Sequence, residues 1–110
     1  MEWTKEFPTA ITVCDKKGII LEMNDKAAIS FEKDSGYDLI GKNLFDCHNQ
    51  NSHDKIEELL RDKKVNIYTI EKNGKKKLIY QAPWLEEGEI KGLVEFSMEI
   101  PTEMPHFIRS

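Results

Sequence analysis

The stretch after Lys64 is cut by two short turns into three alternating segments, and this leaves few folds open. Val65 to Glu71 and Lys77 to Leu85 flank Asn73-Gly74, and Glu86-Glu87-Gly88 leads into Ile90 to Ile100. Asn-Gly favours the tight hairpin turn whose two central residues take positive φ. The last segment alternates without a break: Val94, Phe96, Met98 and Ile100 share one face, and Glu95, Ser97 and Glu99 share the other. The pattern predicts three antiparallel strands in a meander, with the apolar face buried and the polar face toward water or a partner. Lys72, Lys75, Lys76 and Lys77 surround the first turn. They read as a solvated hairpin tip whose charges protect a strand edge.

Upstream the order is strand, strand, then helices. Ala10 to Cys14 and Ile19 to Met23 are short apolar strands joined by the turn Asp15-Lys16-Lys17-Gly18. Asn24 to Phe31 is helical, with Asn24 as N-cap and Ala27, Ala28 and Phe31 on one face. Lys33 to Lys42 is loop-like around a one-turn helix at Asp38 to Ile40. A longer helix follows from Ser52, its N-cap, with Asp54 at the positive dipole end and Ile56, Leu59 and Leu60 as the apolar stripe. Two strands, several short helices and three strands make an α+β domain with its helices gathered on one side of an antiparallel sheet.

The chain has 110 residues, 39% apolar and 33% charged, which suits one globular domain with one core. No apolar run approaches the roughly 18 residues that span a bilayer, and the opening MEWTKEF lacks the apolar stretch of a signal peptide. A cytoplasmic protein without a membrane partner is expected. In that setting Cys14 and Cys47 are free thiols rather than a disulfide. Sixteen basic against twenty acidic residues leave a net charge of -4, which argues against a nucleic-acid surface.

This order resembles the PAS sensory family. The residues that carry the likeness are ITVCDKKGIILEMN, the Asn24 to Ala28 stretch after it, SGYDLIGKNL from Ser35 to Leu44, and the Gly88 to Gly92 turn before the final strand. The resemblance implies a five-stranded antiparallel sheet in the order 2-1-5-4-3 with short helices packed on one face. It implies a core over about residues 7–100 and a tail at 101–110. It also implies a cavity between sheet and helices that often holds a ligand, and a role in sensing and in pairing with another copy or an effector.

The chain's two cysteines and three histidines are unevenly placed, with Cys47, His48 and His53 inside GKNLFDCHNQNSHDKI. Flavin-binding light sensors of the family carry a Cys three residues after the Gly that matches Gly41; here that position is Leu44, so flavin is not expected. Members with a coumaryl chromophore need a Glu after a paired Ala, and here Ala27-Ala28 is followed by Ile29. Haem is the stronger cofactor reading. In haem-binding members the iron ligand is a His on the long helix before the third strand, and Ser52-His53-Asp54 resembles that segment, so the resemblance makes His53 the metal ligand. His53 also shares the stripe of Ile56 and Leu60, and a first-turn position favours neutral imidazole. Asn66 and Tyr68 are the candidates for a distal polar group. A partly buried helix-start histidine satisfied by a hydrogen bond is the stronger account of His53. Zinc held by Cys47, His48, His53 and Asp46 lacks the paired spacings of structural sites. A Cys47-His48 nucleophilic pair lacks an orienting third group. His106 is remote and exposed in this reading.

The expected lining of the cavity is Ile11, Val13, Leu21, Phe31, Leu44, Ile56, Leu60, Ile67, Tyr80, Ala82, Val94, Phe96 and Met98, with Tyr80, Gln81 and Trp84 as polar handles for a small ligand. Pro101 and Pro105 forbid a continuous helix out of the last strand. Trp3 and Phe7 form an amphipathic opening segment that caps the sheet or packs in a homodimer. Three functions follow: a non-enzymatic sensory module that binds a small ligand and signals by changing self-association or partner contacts, a haem-based gas or redox sensor using His53, or a ligand-free dimerisation domain with a filled core.

Overall fold

The computed structural model describes residues 1–31, 36–43 and 50–110, and side chains at all of these except 50–53. Strands β1 (Ala10–Asp15) and β2 (Ile20–Met23) are followed by helix α1 (Asp25–Ser30), a 3-10 turn (Gly36–Leu39) and helix α2 (Gln50–Asp62). Strands β3 (Asn66–Lys72), β4 (Lys75–Glu86) and β5 (Glu89–Ile100) complete the chain's regular structure. The sheet has five strands in the order β2-β1-β5-β4-β3, and every pairing is antiparallel. Both tight turns of the meander have the expected geometry. Asn73 and Gly74 take φ of 53° and 76°, which closes Lys72 onto Lys75.

The helices lie on one face of the sheet. Ala10, Ile20 and Met23 pack with Ala27 of α1 and Leu39, and Cys14 and Leu93 pack with Ile56 and Leu59 of α2. Leu59 is fully buried, a contribution on the order of 2 kcal/mol for an aliphatic side chain. The strip Ile56, Leu59 and Leu60 is therefore the inward one, as its spacing implies. Helix α2 starts at Gln50, two residues before the expected N-cap Ser52, which makes His53 its fourth residue. Among the described residues no helix is long and apolar enough to cross a membrane.

Asn24 organises the opening of the chain. It is 4% exposed, and its Oδ1 accepts from the backbone of Ile11 at 2.9 Å and, as N-cap of α1, from Ala27 at 3.0 Å. Its Nδ2 donates to the carbonyls of Thr4, Phe7 and Thr9. One amide thus fixes the first nine residues to β1 and α1, which spends its full donor and acceptor capacity. Nearby, Asp25 accepts from Tyr37 Oη and pairs with Lys5 Nζ at 3.2 Å.

Candidate functional site

The pleat assigns each strand residue to one of two faces. The helix-covered face carries Ala10, Thr12 and Cys14 of β1, so by register it carries Leu93, Glu95, Ser97 and Glu99 of β5. Through β4 and β3 it continues with Ile79, Gln81 and Pro83, then Asn66 and Tyr68. One row crosses the whole sheet on this face: Met23, Thr12, Glu95, Gln81 and Asn66 are successive cross-strand partners.

That row is polar where core packing would ordinarily be apolar. Asn66 Nδ2 donates to Gln81 Oε1 at 3.0 Å, and Gln81 Nε2 donates to Glu95 Oε2 at 2.8 Å. Gln81 is only 7% exposed and satisfied at both ends, as a buried amide must be. Burial, and secondarily the Glu95 carboxylate, push the Tyr68 phenol above the ordinary tyrosine range. Tyr68 is therefore neutral and faces the same carboxylate. Asn66, Gln81 and Glu95 form one hydrogen-bonded cluster, with Tyr68 on the same face.

The structure divides the sequence candidates between two faces. Asn66, Tyr68 and Gln81 come together on the covered face, whereas Tyr80, Trp84 and Phe96 lie on the opposite one. The expected lining Ile11, Val13, Ile67, Tyr80, Ala82, Val94, Phe96 and Met98 must be corrected in the same way, because by register all eight stand on the face away from the helices. The alternation of β5 is real, but its polar half points inward. Glu95 is accordingly the residue that sequence reasoning missed; the signal available was its register opposite Gln81 in a 2-1-5-4-3 sheet. Trp84 is held in place structurally, its Nε1 donating to the Cys14 carbonyl at 3.0 Å. Cys47, His48 and Leu44 lie outside the described residues, as does the side chain of His53, and with them the zinc set and the Cys47-His48 pair. Cys14 is a free, buried thiol whose pKa burial pushes up.

No family model matches the chain, and no curated protein does. Solved structures do. The PAS domain of histidine kinase ThkA aligns with TM-score 0.66 and 21% identity over 82% of this chain and 97% of its own. The dual PAS-heme oxygen sensor Aer2 of Vibrio cholerae aligns at 0.62 and 18%, over 84% and 95%. The VqmA dimer of Vibrio cholerae aligns at 0.72 and 13%, over 99% of this chain and 55% of that one, so the chain spans about half its length. The chain has the PAS fold. In this PAS fold the helix-covered face of the sheet is the one bearing Asn66, Gln81 and Glu95.

Among the described residues that face is a poor fit to haem. A porphyrin laid between sheet and helices would cover the row Thr12, Glu95, Gln81 and Asn66, and so enclose a partly buried carboxylate against an apolar macrocycle with no cation among the described residues to balance it. The arrangement suits a small polar guest that uses the row's hydrogen-bonding groups. The outer face of the PAS sheet has the opposite character: Ile67, Leu78, Tyr80, Val94, Phe96 and Met98 form a continuous apolar surface, with Tyr80 and Phe96 rings 6.5 Å apart. At its β1–β2 end the opening segment borders a concavity of about 530 Å³ whose walls include Trp3, Ile11, Val13 and Leu21.

Proposed function

We propose that this chain is a cytoplasmic PAS sensory module that binds a small molecule between the inner sheet face and the helices, and that it signals by changing contacts with a second copy or a partner rather than by catalysis. The observation that carries the reading is the polar row Asn66, Gln81 and Glu95. A sheet face that served packing alone would gain stability from apolar residues there, and buried polar groups retained at such a cost mark sites of use. The VqmA structure bound to DPO, with TM-score 0.71, supports the same mode, a small molecule held by a protein of this fold. The apolar outer face supports the second half of the reading, since a homodimer packed through it would bury Tyr80 and Phe96.

The test is a thermal-shift and NMR screen of the full chain with small heteroaromatic molecules and with DPO. At least one is expected to raise the unfolding midpoint, as any ligand selective for the native state must, and to move the side-chain amide signals of Asn66 and Gln81. A screen that leaves both amides unmoved overturns the proposal. The alternative, haem held through His53, is separated by adding hemin: the polar row predicts no sharp Soret band, and one that His53→Ala abolished would reverse that order.

A further inference from the structure

The directions of the hydrogen bonds in the row are not free. An ionised carboxylate only accepts, so Gln81 must turn its NH2 toward Glu95 and its oxygen away; Asn66, which meets that oxygen, must in turn present its own NH2. Both hydrogen bonds of the row therefore run toward Glu95. The Glu95 end is acceptor-only, through its second carboxylate oxygen, whereas the Asn66 end presents Oδ1 beside the second hydrogen of Nδ2.

Among the described residues the charge within the row itself is the Glu95 carboxylate. Glu95 belongs to none of the ion pairs formed among the described residues. Among the described residues its inner-face neighbours Thr12, Gln81, Ser97 and Tyr68 bring no positive charge. Partly buried, it sits where the field is weakly screened and a charge-assisted bond is at its strongest.

We infer that the molecule bound at the inner face is a hydrogen-bond donor of neutral to positive charge, an amine, amidine or N–H heterocycle of one or two rings, seated with its nitrogen against Glu95. The inference rests on the small-molecule reading above and adds its polarity. A carboxylate or phosphate ligand seated there would meet the like charge of Glu95.

Benzamidine, benzamide and benzoate share one ring and nearly one size and differ in charge, so titrating each into the 15N-labelled full chain isolates polarity. Benzamidine is expected to move the Asn66 and Gln81 side-chain amides and to bind at least about tenfold more tightly than benzoate, the scale of one hydrogen bond to a charged group. Glu95→Gln should abolish that preference while keeping an acceptor for Gln81. The wild-type comparison decides the matter even if that variant fails to fold. Equal or tighter binding of benzoate overturns the inference, as does a preference that survives in Glu95→Gln. If benzamide or benzoate moves the two amides and benzamidine does not, the small-molecule reading stands and the polarity falls. If none of these probes and none of the screened heteroaromatics does, both fall.

Discussion

Trp84 reaches across β5 to donate its indole proton to the carbonyl of Cys14 on β1, and it does so over Gly92. A Cβ at position 92 would lie 1.8 Å from that carbonyl oxygen and 2.7 Å from the indole nitrogen. Gly92→Ala should therefore lose about 3 kcal/mol or more, since neither the backbone nor the ring can yield without giving up the bond. Chemical denaturation of the two proteins checks this, and a loss below about 1 kcal/mol would show that the strands part easily there.

Asn24→Ala should be among the most damaging substitutions in the chain. It strands the buried N–H of Ile11 and Ala27 and releases the carbonyls of Thr4, Phe7 and Thr9. At about 1–3 kcal/mol for each buried group left unmatched, a loss of roughly 3 kcal/mol is expected. The first nine residues should become sensitive to protease at the same time.

Single and combined changes in the polar row should have opposite signs. Gln81→Leu leaves Asn66 without its acceptor and Glu95 without its donor, and should cost about 2 kcal/mol. Asn66→Val, Gln81→Leu and Glu95→Val together remove the whole network and should restore or exceed wild-type stability, by up to about 4 kcal/mol. The triple variant should no longer respond to benzamidine. Thermal melts with and without that probe read both outcomes.

The contact between the opening segment and α1 should depend on pH. The Tyr37 hydroxyl, and after it Lys5, hold the Asp25 carboxyl below its ordinary value. A carboxyl whose folded pKa is depressed contributes its stability above the unfolded value, about 3.9, and loses it as pH falls through the folded value. Tyr37 is raised by the same hydrogen bond, so its contribution is complete below about pH 10 and fades as pH rises through the folded value. Trp3 fluorescence should accordingly be flat between about pH 5 and 9 and change below pH 4. Tyr37→Phe should move the acid change upward, because Asp25 then keeps only Lys5.

Association through the outer face has a direct readout. Phe96→Glu places a charge beside Tyr80 on that surface and should reduce a dimer to monomer by light scattering without changing the inner-face amides. A dimer that survives it but is lost in the Trp3→Ala, Phe7→Ala double variant would transfer the interface to the opening segment, where those two rings meet edge to face at 5.3 Å.

Much of the fold was legible because the chain is punctuated. Asn73-Gly74 and Glu87-Gly88 sit at positive φ in two-residue turns, and the strands they join differ from the expected spans by one or two residues. The identity of the inward face was not legible. Burial of apolar residues is a rule about which residues prefer the interior, and it decides a strand's orientation only when one face is polar for want of a role. In β5 both faces are occupied: Glu95 accepts from Gln81 on the inner face and Phe96 forms part of an apolar outer surface. Asn24 shows the same limit in milder form. Its place as N-cap followed from sequence, whereas its three bonds to the opening segment depend on contacts 15 or more residues away.

Those bonds have a mechanical consequence. Because one amide joins the opening segment, the first strand and the first helix, the three cannot be displaced separately without breaking it. A tilt of α1 by even half an ångström would be handed on to Thr4 and Phe7 like the throw of a lever. The Trp3-Phe7 end of the molecule would then report on the state of the helical layer with no additional element between them.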